Sequence, residues 1–400
     1  MFDLLNGVRI LDLTTTYLGP YATQFLGDMG ADIVKVEPRD GEVGRSPRPS
    51  RSPEMGAGFL NTNRNKRSLA IDLRSDAGRD VVLRLAKQSD AFVHNMRPQA
   101  AARLGLSHDE LRRANPAIVY CLAPGFDQAG PMAAQPAYDD IIQALSGLSY
   151  LNRDDSGAPR FLPTIVCDKV VGVHLAFAIA VGLAHRFRTG EGCAIEVPMF
   201  ETMVAFLLVE HLAGHTFRPP LASLGYERMM AANRRPYRTG DGYMAIMPYT
   251  TQQWTRFLEA VGRTDLLTEH WVRDPVQRSA NVDRLYQVIA GAAPSRTNAE
   301  WMVVLKAADV PCGPVNTFED LLSHPQLSAV SLFQPVEHPG EGPITSVRSP
   351  FRVADNESQP DRPAPSVGEG GRDILRAAGF TQDEIENLIS NNVLAPGPET

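Results

Sequence analysis

Asp168 is the side chain with the clearest chemical promise in this sequence. It stands between the apolar run FLPTIV (Phe161 to Val166) and a long apolar stretch beginning at Val170. An aspartate at such a junction is a favoured N-cap, because its oxygen accepts from the free amides of a first helical turn. The helix dipole and those donors also favour the ionised form. An ionised carboxylate with one oxygen free is a nucleophile, so the cap and the nucleophile are compatible readings. Cys167 is adjacent, but no histidine close in sequence would activate it, and it is expected as a small core residue. His174 and His185 share one face of the same helix. No third ligand type lies near them, so packing is expected rather than metal binding. Neither H-E-x-x-H nor G-x-S-x-G occurs, which argues against a zinc protease and a serine hydrolase.

Anion recognition has two candidate clusters. Arg39, Arg45, Arg48 and Arg51 follow the apolar run ADIVKVEP, and Arg64, Lys66 and Arg67 sit in N-R-N-K-R. The first suits a phosphorylated ligand if it lies at the edge of a sheet, although by itself it reads as a solvated loop rich in Pro and Ser. The second reads as surface. Glu37 closes the second predicted strand, where an acid holds the ribose of a dinucleotide in many βαβ folds. The preceding loop, TTTYLGPYATQFLG, lacks G-x-G-x-x-G, and no G-x-x-x-x-G-K-[ST] occurs. Nicotinamide, flavin and nucleotide triphosphate sites are therefore not expected.

The elements that must position these residues alternate in type. VRILDLT, ADIVKVEP, SLAIDL, AFVHNM, AIVYCLAP, FLPTIV and CAIEVP read as strands. Helical patterns separate several of them, including GPYATQFLGDMG with Pro20 in its first turn and Gly30 at its end. This rhythm predicts an α/β fold, a parallel sheet with helices on its faces and ligand loops at the strand C-terminal ends. A domain transition is placed near residues 216–238, where Pro, Arg and Gly are dense. The organisation expected is a large α/β domain over 1–215, a smaller α+β domain over 216–330, and a C-terminal segment over 331–400. In the smaller domain YRTGDGYMAIMP reads as a hairpin turning at Asp241-Gly242. Residues 335–371 are rich in Pro and Gly and read as surface chain. GFTQDEIENLI reads as a closing helix with Thr381 as N-cap and Glu384 completing a capping box.

Composition bounds the function. The 400 residues are 43% hydrophobic and 21% charged, enough for two globular domains. A net charge of -7 does not favour nucleic acid or an anionic membrane. Val170 to Leu183 is shorter than the roughly 20 apolar residues of a membrane span and reads as a buried helix. Four scattered cysteines and no evident signal peptide point to the cytoplasm.

In order and spacing, several segments resemble the family III CoA-transferases, which include the formyl-CoA:oxalate, carnitine and bile-acid CoA-transferases. They are G-V-R-I-L-D-L-T, G-P-Y-A-T-Q-F-L-G-D-M-G-A-D-I-V-K-V-E-P, N-K-R-S-L-A-I-D-L, H-N-M-R-P, R-L-G-L, N-P-A-I-V-Y-C, R-T-G-E-G and V-P-C-G-P-V. The resemblance covers nearly the whole chain. It implies transfer of CoA from an acyl-CoA donor to a carboxylic acid, with Asp168, in I-V-C-D-K-V-V-G, as the nucleophile. It implies CoA-contacting positions at Tyr17, Leu18, Arg39, Ile71, Asn95, Met96 and Arg103. It also implies a Rossmann-like large domain built from both chain ends and an interlocked homodimer. No metal or redox cofactor is expected, and CoA enters as a cosubstrate.

The racemases of the same family carry a histidine base where Tyr138 stands, beside the ligand site. Tyrosine as a residue type titrates far above neutral pH, so transfer is favoured over racemisation; a non-catalytic CoA-binding protein is the alternative from another class. Tyr17 replaces a glutamine of the formyl-CoA enzyme, and SLGYERMMAANRRPYRTG replaces its glycine-rich lid. Both departures point away from formate and oxalate. Arg228, Arg234 and Arg235 in that segment suit an acceptor with a second carboxylate.

Overall fold

A computed structural model describes residues 1–354 and 359–398. Six strands form one parallel sheet: β1 (Arg9–Leu13), β2 (Asp32–Glu37), β3 (Lys66–Ala70), β4 (Ala91–His94), β5 (Val119–Leu122) and β6 (Cys193–Glu196). Their order is β3-β2-β1-β4-β5-β6. The α/β class read from the strand and helix rhythm is the one observed. FLPTIV is not a strand: the chain there is irregular up to Ile165. Pro163 lacks the amide a ladder needs, and β5 pairs directly with β6.

Nine helices lie in the first half of the chain. They are α1 (Leu18–Asp28), α2 (Ala57–Thr62), α3 (Asp76–Ala86), α4 (Pro98–Arg103), α5 (His108–Ala114), α6 (Asp139–Leu145), α7 (Leu148–Leu151), α8 (Val166–Thr189) and α9 (Met199–His211). The strands alternate between two cores, as the two-residue pleat requires. Ile10, Ile33, Val93 and Cys121 face α1 and α8, with Leu26, Cys167, Val171, Leu175 and Ile179. Leu11, Val34, Phe92 and Leu122 face α3 and α5, with Val82, Leu85 and Leu111.

α8 is longer than the stretch read from the sequence, and by length and composition it would suffice to cross a membrane. Cys167, Val171, Leu175, Ile179 and Leu183, spaced one turn apart, are buried in the sheet's core. Val173, Phe177 and Val181 on another side are about half exposed or more. The helix expected to be buried is therefore buried on one face only.

The chain divides into two compact units, Met1–Leu207 with Ser331–Thr400, and Leu208–Val330. The first change of unit falls inside α9, earlier than residue 216. In the second unit β7 (Tyr237–Arg238), β8 (Tyr243–Ile246) and β9 (Cys312–Pro314) form an antiparallel sheet. The β7–β8 turn holds Asp241-Gly242, and Thr239 N–H donates to the Gly242 carbonyl at 2.9 Å. Trp254, Phe257, Tyr286 and Trp301 are buried in this unit's own core.

Residues 335–371 do not merely wander over the surface. β10 (Phe333–His338) and β11 (Gly342–Val347) pair as a hairpin. The returning chain then threads along the large unit: Asn65 N–H donates to Arg362 O and Ser68 N–H to Glu369 O, both at 2.9 Å. Backbone donors on a sheet edge need partners, and this segment supplies them. Residues 355–358 of that stretch lie outside the described residues. The helix Gln382–Ser390 has the Thr381/Glu384 capping box read from the sequence.

Candidate active site

In a doubly wound sheet, β1 and β4 mark the point where strand order reverses, and ligands bind beyond the strand C-terminal ends there. A cleft of about 790 Å³ lies at this edge. Leu13 and Thr15 after β1, Glu37 to Asp40 after β2, Ile71 to Arg74 after β3, and Met96 after β4 line it, with Leu104. Of the residues read from the sequence, the cleft gathers Arg39, Ile71 and Met96. Asp72 and Arg74 line it as well and were missed, although the loop following β3 is where the edge rule would have looked for them. Arg74 Nε pairs with Asp72 at 3.0 Å and its side chain is 87% exposed, free to turn toward an anion. Arg39 donates to Asn392 Oδ1 at 3.3 Å. Arg103 is exposed on the last turn of α4, next to Leu104.

The basic cluster after β2 splits up. Arg45 is buried, bonded to both Glu37 oxygens at 2.7 Å and stacked 3.8 Å from the Phe59 ring centre. Glu37 accepts from Ser68 and from Glu42 N–H as well, so its carboxylate is fully engaged inside the protein. Arg48 bonds Ser50 and Arg51 bonds the Glu341 carbonyl. Arg39 alone of the four lines the cleft. The second cluster is not surface. Arg64 pairs with Asp28 at 2.5 Å, Lys66 with Asp12 at 3.1 Å, and Arg67 with Asp32 at 2.6 Å. Acids from β1, β2 and α1 draw these cations inward, a pairing invisible in local sequence.

Three other predicted positions are committed elsewhere. Tyr17 sets its ring against α2, where a Cβ on Gly58 would lie 2.2 Å from the phenol oxygen. The Leu18 side chain is in the core. The Asn95 side chain bonds the backbone of Thr15 in both directions at 3.0 Å.

Asp168 lies in the first turn of α8, but Ile165 is the N-cap. The expected cap is therefore corrected: Asp168 stands three residues into the helix. Its own N–H donates to Asp139 Oδ1 at 2.9 Å. Asp139 is 6% exposed, begins α6, and accepts from Gln143 Nε2 at 2.6 Å. Gln143, fully buried, accepts from Leu162 N–H at 2.9 Å and so fixes the irregular chain leading into α8. Burial first, and the neighbouring Asp139 charge second, push the Asp168 carboxyl up to about 7. The expectation of a carboxylate held ionised by the helix end is thus reversed. Burial and the Asp139 charge both disfavour the ionised form, and Asp139 has taken the Asp168 amide.

Tyr138, the residue before α6, is 73% exposed. Cys167 is buried as expected, and burial lifts its thiol to about 12. His174 is exposed and pairs with the Val170 carbonyl at 2.8 Å, so it does not pack as expected. Among the described residues no group of acids, histidines and cysteines is arranged to hold a metal. In the second unit Arg228 donates to Tyr286 Oη at 3.0 Å and lies 4.5 Å from the Tyr249 ring centre, while Arg234 and Arg235 are exposed.

The model of CoA-transferase family III matches residues 5–370. The mouse (Mus musculus) succinyl-CoA:glutarate CoA-transferase is 30% identical over 395 residues, covering 98% of this chain and 90% of that protein. The succinyl-CoA:mesaconate CoA-transferase of Haloarcula hispanica is 30% identical, covering 94% of this chain and 96% of its own. Rv3272 of Mycobacterium tuberculosis, named a probable fatty acyl-CoA transferase, is 31% identical and covers 91% of this chain and 95% of its own. Its crystal structure aligns over 92% of this chain and 98% of that one, with a TM-score of 0.80. With a cleft at the strand-order reversal of its parallel sheet and the family model matched over residues 5–370, this chain belongs to CoA-transferase family III.

Proposed function

We propose that this enzyme, which moves CoA between an acyl-CoA and a carboxylic acid, does so by covalent transfer on Asp168. One observation carries the reading. Asp168 is a half-buried carboxylate at the start of α8 whose pKa of about 7 leaves both forms populated near neutrality.

Ionised Asp168 attacks the donor thioester carbonyl. The C–S bond breaks, CoA leaves as thiolate, and a mixed anhydride forms. The thiolate then attacks the Asp168 carbonyl, giving an aspartyl thioester and releasing the donor acid as its carboxylate. The acceptor carboxylate attacks that thioester, expelling the thiolate and forming a second anhydride. Thiolate attack on its acyl carbonyl yields the new acyl-CoA and restores the Asp168 carboxylate. Every bond made to Asp168 is broken again and no proton is consumed. No side chain caps α1, so the Leu18 and Gly19 amides of its first turn are candidate donors to the oxyanions formed at each step.

The nucleotide end of CoA is assigned to the cleft lined by Arg39, Ile71 and Met96, with Arg103 at its margin and the backbone of Tyr17, Leu18 and Asn95 beside it. Acceptors are proposed to be small dicarboxylates, as the names of the mouse and Haloarcula relatives suggest. A homodimer, interlocked as the family resemblance implies, is supported by the exposed apolar side of α8 at Val173, Phe177 and Val181. All four cysteines are free thiols, which fits a reducing compartment such as the cytoplasm.

The test is Asp168→Ala in a donor and acceptor panel read by mass spectrometry. The expected result is loss of transfer with CoA binding kept, and an adduct of CoA mass on wild-type Asp168 trapped during turnover. Wild-type turnover in the variant would sink the covalent route. Solvent deuterium entering the α-carbon with no acceptor present would instead favour racemisation. Acceptance of long fatty acids in preference to succinate or glutarate would remove the dicarboxylate assignment.

A further inference from the structure

We infer that Asn95 is a positioning residue, whose side chain clamps the loop between β1 and α1 against the sheet and so sets the geometry between the cleft and Asp168. This rests on the CoA-transfer reading of the same site.

Side chains from elsewhere hold three consecutive residues of this loop. Asp12 Oδ1 accepts from Thr14 N–H at 2.9 Å, and Lys35 Nζ donates to the Thr14 carbonyl at 3.0 Å. Asn95 bonds both the N–H and the carbonyl of Thr15 at 3.0 Å. Glu42 Oε2 accepts from Thr16 N–H at 2.8 Å, while Glu42 Oε1 is paired with buried Lys35 at 2.9 Å. A loop so heavily held is under constraint, and the constraint is visible. Thr16 has a φ of 72°, a left-handed conformation that a β-branched residue adopts only when its surroundings impose it.

The position of the loop explains why such a hold matters. Thr15 lines the cleft. Three residues on, the Leu18 carbonyl presses on α8 at Gly172, where a Cβ would come within 2.8 Å. Gly172 is one turn beyond Asp168 on the same face of that helix. The loop therefore spans from the cleft wall to the helix that carries the nucleophile, and Asn95 holds its cleft end at Thr15. Both polar ends of the Asn95 side chain are used in the clamp. A CoA group meeting residue 95 meets its backbone, and the amide side chain acts through Thr15.

The experiment compares Asn95→Ala with Asn95→Asp. A misplaced loop moves the thioester relative to Asp168, so Asn95→Ala is expected to lower kcat by about tenfold or more while leaving the Kd for free CoA within about twofold. Asn95→Asp keeps the acceptor for Thr15 N–H and is expected to recover part of kcat. In the wild type, hydrogen exchange should show Thr15 and Thr16 amides protected, and the Thr15 amide released in Asn95→Ala. A weakened Kd with unchanged kcat would make Asn95 a direct CoA ligand and overturn the inference. So would fast exchange at Thr15 in the wild type, a readout that depends neither on a variant folding nor on any substrate turning over. If exchange shows the clamp but no acid accepts CoA from any donor, the transferase reading fails and the clamp stands.

Discussion

The residue scale turns on two carboxylates. Asp139 accepts the Asp168 amide and raises the Asp168 pKa with its charge, after burial has done most of the work. The proposed nucleophile is the ionised form of Asp168, so kcat/KM should rise with pH through about 7. Asp139→Asn keeps the acceptor and removes the charge, and its acidic limb should move to lower pH. A pH profile unchanged by the substitution would show that the two groups do not communicate. The stability sign runs the other way. A folded pKa of about 7, raised from the ordinary carboxyl value, favours the fold below about 4, and that contribution is lost as pH rises through 7. Asp168→Asn should therefore gain more thermal stability over wild type at pH 8 than at pH 5, measured by calorimetry. At the cleft, Arg39→Ala and Arg74→Ala should each raise KM for acyl-CoA several-fold, with little change in kcat.

At the scale of elements, α8 links the sheet to the proposed nucleophile, Asp168. Cys167, Val171, Leu175, Ile179 and Leu183 recur about one turn apart, so the face turned to the sheet is set by period. Gly172 lets α1 come close enough for the Leu18 carbonyl to touch the helix. Gly172→Ala would place a methyl 2.8 Å from that oxygen, and the two helices would have to separate. A loss of about 1–3 kcal/mol is expected, read as a fall in melting temperature, with a fall in kcat because the loop before α1 shifts too. β1, β2 and β3 meet in a second way. Asp12, Lys35, Glu42 and Lys66 are all buried and paired, and burial lowers Lys66 to about 8 despite Asp12 beside it. Truncating one partner strands the other, so Lys66→Ala should destabilise by about 3–5 kcal/mol.

For the molecule as a whole, the large unit is closed by chain from both ends. Asp361 pairs with the N-terminal amine at 2.9 Å, and Ala395 N–H donates to Ala70 O at the same distance. A circuit of this kind commits the C-terminal segment to the unit begun by β1. The half-exposed apolar side of α8 is the largest-scale prediction: light scattering in solution should give twice the chain mass, and Phe177→Glu should lower the yield of that species. A wild-type monomer at micromolar concentration would remove the homodimer proposal.

The sequence by itself determined what depends on near neighbours along the chain. Period and punctuation gave the βαβ alternation, the hairpin at Asp241-Gly242 and the Thr381 capping box, and short motifs in order gave the family resemblance, since each is written in residues a few positions apart. It could not determine which charges meet. Whether Arg39 or Arg45 faces a ligand depends on Glu37 accepting the latter, and whether N-R-N-K-R is surface depends on acids from β1, β2 and α1 reaching it. The coupling of Asp139 to Asp168 spans 29 residues of chain, and the Asn95 hold on Thr15 spans 80. Only the tertiary structure brings such pairs together. With them it decides the state of the Asp168 carboxyl, because a carboxyl pKa is set by what surrounds it in space, not by what precedes it in sequence.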